Sequence, residues 1–232
     1  MTVVCFSMTA DLVAGTALLP VAALTLREVR SRRELPFASL PALFAAHQFL
    51  EVAVWAGLDG RVPPGVAEFA MRAYLFIAWP LLPAYLPFAV LLLAPRGARM
   101  RVAPFLVLGV IVAIYLGYVV LANPVQVIRH SHGLEYATVV QHPILWAVLY
   151  IIAVIGAPLM SGYRSIVAFG VVNLVGLVLV AVYYAQTFAS LWCVFAAASS
   201  LLMLLHMVRR RRLPDSDRLR GEPQPSPVPV AG

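Results

Sequence analysis

Seven apolar stretches run along the chain, at Thr9 to Leu26, Phe37 to Leu58, Phe69 to Ala94, Val102 to Ala122, Pro143 to Met160, Ile166 to Ala185 and Phe188 to Val208. Each is about as long as the 17 to 25 residues that a helix needs to cross a bilayer. Backbone polar groups in hydrocarbon must find partners within the protein, and a helix supplies them within one segment. The pattern predicts an all-α integral membrane bundle of seven transmembrane helices over residues 1–208. Residues 209–232 follow as a basic, then Pro-rich, disordered cytoplasmic tail, since apolar periodicity ends after Leu213. The first stretch is not a cleavable signal. It lacks a basic leader and is followed by Arg27, Arg30, Arg32 and Arg33, the reverse of a signal's charge order.

Orientation follows from the arginines, because short basic loops stay on the cytoplasmic side. The loops after spans 1, 3 and 5 and the tail hold Arg27, Arg30, Arg32, Arg33, Arg96, Arg99, Arg101, Arg164, Arg209, Arg210, Arg211, Arg212, Arg218 and Arg220. The other side holds only Arg61, Arg72 and Arg129. The N-terminus is expected outside and the C-terminus inside the cell membrane, crossed many times.

Composition supports lipid as the solvent. Of 232 residues 62% are hydrophobic and 12% charged, with a mean hydropathy of +0.90. A soluble domain carries about twice that charge. The formal charge of +7 does not point to nucleic acid, because the arginines fall between apolar runs and not on a polar face. All 17 basic residues are Arg, so no lysine is present to hold retinal as a Schiff base. Neither a glycine-rich phosphate loop nor a dinucleotide fingerprint occurs, and no cofactor is expected. The expected partners are membrane lipid and a lipophilic small molecule. Nothing in the sequence sets the oligomeric state.

Span 3 contains Pro80, Pro83 and Pro87, each of which removes a helical hydrogen bond. The helix is expected to kink or partly unwind. Freed carbonyls at membrane depth need neighbours or water, so the span either lines an interior cavity or packs tightly as a bent helix.

Glu51 is the only carboxylate placed well inside a span, where a charge costs a few kcal/mol unless paired or neutralised. His47, Glu51 and Trp55 share one stripe at i, i+4 and i+8, with Gln48 beside them. Three readings compete. Glu51 stays protonated and delivers a proton to an apolar substrate; His47 and Glu51 ligate a metal; or they form an interhelical clasp with Arg72 or Asn173. Glu51 lies roughly 21 Å along span 2 at 1.5 Å per residue, beyond the midplane. The same outer level holds Asp11, Arg72, Tyr74, Tyr183, Tyr184, Gln186, Ser190 and Trp192. Trp and Tyr favour the membrane interface in any protein, but Trp55 and Trp79 lie deeper, where they can wall an apolar pocket.

The loop between spans 4 and 5 carries Arg129, His130, His132, Glu135 and His142. Their spacing matches no metal signature, and a solvated loop is the plainer reading. Cys5 and Cys193 fall on the outer side, where disulfides persist. First and last helices of a seven-helix ring are often neighbours, so these two are candidates for a bond, with free thiols as the alternative.

Three short motifs, Cys5-Phe6-Ser7, Ala45 through His47-Gln48 and Glu51 to Trp55, and Ser190-Leu191-Trp192-Cys193, together resemble those of a bacterial family of small seven-span proteins of unknown function. The resemblance implies the topology, and that His47, Glu51 and the two cysteines belong to the family's activity. In size and span number alone the chain is also similar to small membrane-bound terpene cyclases, which protonate an alkene or epoxide with a membrane-embedded carboxyl. Glu51 matches such an acid in position. Span 7 carries no second acid, so Asp11 would replace it. The leading expectation is a terpenoid cyclase, an isomerase, in which Glu51 is the acid, His47 or Gln48 orients it, Asp11 is the second acid, and Trp55, Trp79, Tyr74, Arg72 and Trp192 contact substrate. The alternatives are a sensor or transporter using Glu51 and His47 for protons or a small solute, and a metal-dependent membrane hydrolase.

Overall fold

A computed structural model describes residues 7–130, 133–183 and 199–210. Helix α1 (Met8–Arg27) starts where the Ser7 hydroxyl accepts the Ala10 N–H at 3.4 Å, filling one of the bonds that a helix start leaves open. The one-turn α2 (Leu35–Ala38) leads through Ser39 into α3 (Leu40–Leu58). Then come α4 (Pro64–Phe76), a π-helical segment (Ile77–Leu81), α5 (Leu82–Leu93) and α6 (Arg96–Ala122). An antiparallel hairpin of β1 (Gln126–His130) and β2 (Gly133–Ala137) precedes α7 (Pro143–Leu159) and α8 (Arg164–Tyr183). Residues 199–210 form a further helix, α9. Prolines in the first turns of α2, α3, α4 and α7 suit positions whose N–H would be unpaired in any case.

Among the described residues, four helical segments are long and apolar enough to cross a membrane: Met8–Arg27, Leu35–Leu58, Pro64–Leu93 and Gly97–Ala122. Pro143–Leu159 and Arg164–Leu179 are shorter apolar helices. The first six apolar stretches each coincide with helix, and most of the seventh lies outside the described residues. The segment between spans 4 and 5 departs from the expected loop, because Val127, Ile128 and Tyr136 favour strands and Gly133 takes a positive φ of 143° at the turn. Large apolar side chains face outward on many helices, Ile114 at 70% and Leu121 at 71% exposure among them. In water such a surface would aggregate; facing lipid it costs nothing.

The expected break in span 3 is the π segment. Leu82 N–H bonds back to the Ile77 carbonyl, five residues away, which leaves the Ala78 carbonyl facing Pro83, a residue with no N–H. The Tyr150 hydroxyl of α7 donates to that carbonyl at 2.6 Å. The Pro83 carbonyl, robbed of its partner by Pro87, lies against the bare backbone of Gly109 on α6, where any Cβ would collide with it. Tyr150 thus satisfies one freed carbonyl, as hydrocarbon requires, and Gly109 makes room for the other.

Two buried clusters mark the two ends. One joins Phe37, Leu40, Leu86, Val90, Ile155, Ile166, Met203 and Met207 toward the arginine-rich end. The other gathers Val54, Trp55, Ala70, Tyr74, Leu75, Val120, Leu134 and Tyr136 under the hairpin.

Candidate functional site

Helices α1 and α3 pack antiparallel. Gly15 sits opposite Gln48 and Phe49, where a Cβ would stand 3.1 Å from the Phe49 ring. One turn earlier Asp11 faces Trp55, whose indole N–H donates to Asp11 Oδ2 at 2.9 Å. Asp11, Gln48 and Glu51 are completely buried and His47 nearly so. The small residue in α1 lets the helices approach closely enough to seal these groups from lipid and water.

His47 Nε2 lies 3.1 Å from the Tyr74 carbonyl. A carbonyl only accepts, so Nε2 carries the hydrogen. His47 Nδ1 has no hydrogen-bond partner among the described residues, and neither does Asp11 Oδ1 nor either polar atom of the Gln48 amide. Buried polar atoms left unpaired cost about 1–3 kcal/mol each, so each of these atoms calls for an explanation.

Aromatic rings wall the centre. His47 stacks on Tyr74 at a centroid distance of 3.8 Å, and Tyr74 on Tyr136 of the hairpin at 4.5 Å. Trp79, in the π segment and half-buried, packs against the cluster that contains Trp55 and Tyr74. Above Trp55 the Arg129 guanidinium lies 5.0 Å from the ring, a cation–π contact. Arg129 also donates to Asp59 Oδ1 at 2.6 Å, and that bond, with the Arg61 charge behind it, holds the Asp59 carboxyl below the usual carboxylate range.

The stripe of His47, Gln48, Glu51 and Trp55 is therefore gathered with Asp11 and Tyr74 in one buried cluster. Arg72 stands apart from it. It donates to Glu68 at 3.1 Å and to the Val120 carbonyl at 3.2 Å on the rim. Asn173 bonds the Phe169 carbonyl and Ser199. Both candidates for a clasp with Glu51 thus have other partners. His130 and Glu135 meet across the hairpin at 2.6 Å, and among the described residues no three His, Cys, Asp or Glu side chains gather as a metal site. Cys5, His132, Tyr184, Gln186, Ser190, Trp192 and Cys193, and with them the candidate disulfide, lie outside the described residues.

The family's sequence profile matches residues 4–219, nearly the whole chain. The chain belongs to DUF6629, a family of unknown function. No curated protein and no solved structure matches it significantly. Tyr136 is the residue of this cluster that sequence reasoning missed, and Arg129 was singled out only as part of the loop between spans 4 and 5. The signal was two five-residue runs rich in β-branched and aromatic residues around a glycine, a hairpin pattern overshadowed by the histidines nearby.

Proposed function

We propose that the chain is a seven-span protein of the cell membrane, N-terminus outside, that houses a membrane-embedded acid–base site for a lipophilic substrate. The distribution of arginines supports the orientation, fourteen on one side against three. The observation that carries the chemistry is the burial of two carboxyl side chains, Asp11 and Glu51, in one aromatic-walled cluster whose Gln48 amide has no partner among the described residues. The most concrete reaction is acid-initiated cyclisation of a prenylated acceptor. Glu51 adds its proton to one carbon of an alkene, or to an epoxide oxygen. The carbocation left behind is attacked by a second alkene, a carbon–carbon bond forms, and the final cation returns a proton to the cluster. Substrate and product are isomers, so no co-reactant is required. Trp55, Tyr74 and Trp79 supply aromatic faces to the cation, and Gln48 and His47 orient the acid.

A second reading is favoured by the contacts from Asp59 through Arg129 and Trp55 to Asp11, which link the hairpin surface to the buried carboxyls. They suit a sensor or transporter that takes a proton or small cation from outside. One experiment separates the two: lipid extracts of membranes making farnesylated or geranylgeranylated acceptors, with wild type and Glu51→Gln at equal abundance, compared by mass spectrometry. A product isomeric with the acceptor and found only with wild type is expected for the cyclase. Identical extracts across several acceptors, with a Glu51-dependent proton or solute gradient in vesicles, overturn the cyclase in favour of transport.

A further inference from the structure

At the opposite end a second feature stands apart from the buried carboxyls. A cleft of about 410 Å³ opens between the start of α6, the end of α7 and the start of α8. Arg101 and Arg164 line it together with Leu159, Met160, Val167 and Ala168. The turn that joins α7 to α8 passes through Gly162 at a φ of +79°, and a Cβ there would press on Ala98 at 3.1 Å. This turn is therefore held against α6, which keeps the starts of α6 and α8 side by side.

Arg210, Arg72 and Arg129 each have a carboxylate partner. Arg101 and Arg164 form no ion pair among the described residues. Arg164 is also the first residue of α8, where the helix dipole adds positive potential. Two unneutralised guanidinium groups beside an apolar wall call for an anion that has an apolar part.

We propose that the cleft binds an anionic phospholipid, with its phosphate between Arg101 and Arg164 and the start of an acyl chain along Leu159, Met160 and Val167. The volume exceeds what a free phosphate fills, and the outward faces of the flanking helices are apolar, Val171 and Val175 among them. This inference does not depend on the chemistry at Glu51.

The test is native mass spectrometry of the full chain in detergent, with phosphatidylglycerol and phosphatidylcholine of equal acyl length. Wild type is expected to retain one phosphatidylglycerol with a preference of roughly 30-fold, the effect of two arginines near a lipid surface. Arg101→Gln/Arg164→Gln reduces that preference to about twofold, whereas Arg32→Gln/Arg33→Gln, which removes the same charge from an exposed loop, leaves it intact. Equal loss in both double variants would show general surface attraction and overturn the cleft. Displacement of the lipid by millimolar inorganic phosphate would overturn the lipid as occupant.

Discussion

At the arginine-rich end several buried polar groups pair with one another, although His206 Nε2 has no hydrogen-bond partner among the described residues. Glu34 accepts the Arg30 N–H at 2.8 Å and meets Arg210 at 3.3 Å, the Ser165 hydroxyl and His206 Nδ1 are 2.6 Å apart, and Arg210 covers the Tyr163 ring. These contacts tie α9 to α2 and α8. Under the hairpin, equally buried groups behave differently, since Gln48 has no hydrogen-bond partner among the described residues and Asp11 and His47 use only part of their capacity. Burial is the same at both ends, and pairing is more complete at the arginine-rich one. Paired groups at one end build the bundle; at the other, unpaired buried groups cost stability, which is what the acid–base site proposed above would require.

The comparison breaks if the two ends respond alike to mutation. The largest expected effect is at the paired end. Glu34→Ala leaves Arg210 and two backbone N–H groups without their carboxylate, and should cost about 2–3 kcal/mol, read as a lower thermal midpoint in detergent. Trp55→Phe comes next, at about 1–2 kcal/mol, because it orphans Asp11 Oδ2 while keeping the ring's apolar bulk. Gln48→Leu should lie within about 1 kcal/mol of wild type or be more stable, since an unpaired buried amide gives way to an apolar group of similar size. The same variant should abolish the activity that Glu51 supports. If Gln48→Leu destabilised as much as Glu34→Ala, the hairpin end would be architecture too.

Much of this was legible in the sequence, and the reason is chemical. Length and apolarity name an apolar helix almost regardless of context, so the first six stretches each fell on helix, and the first four on helices long and apolar enough to cross a membrane. Glu51, His47 and Trp55 could be placed on one stripe because helical periodicity is local. The three prolines foretold the break at Ile77–Leu81. Its repair by Tyr150 and Gly109 could not be read, because which helix lies beside which is not encoded in any single segment. The same limit hid the ring stack from His47 through Tyr74 to Tyr136, whose members are 27 and 62 residues apart in sequence. Arg72 looked like part of the site by depth alone, but its position on α4 turns it toward α6 and the rim.

The smallest expected effect concerns how the hairpin is held. Asp59 sits beyond the end of α3, outside the apolar spans, and its carboxyl is held below the usual carboxylate range by the Arg129 bond. A group with a lowered folded-state value adds its stabilisation above its unfolded value near 3.9 and loses it as pH falls through the folded value. Amides of β1 and β2 should therefore lose protection, measured against their intrinsic exchange rates at each pH, once pH drops below about 4. Asp59→Asn should remove the pH-dependent part while leaving α1 and α3 protected. Because the bond is exposed and screened, added salt should mimic part of the acid effect. A hairpin whose protection ignored pH, salt and Asp59→Asn would mean that the Tyr136–Tyr74 stack alone anchors it, and that Arg129 is a surface group with no hold on the buried site.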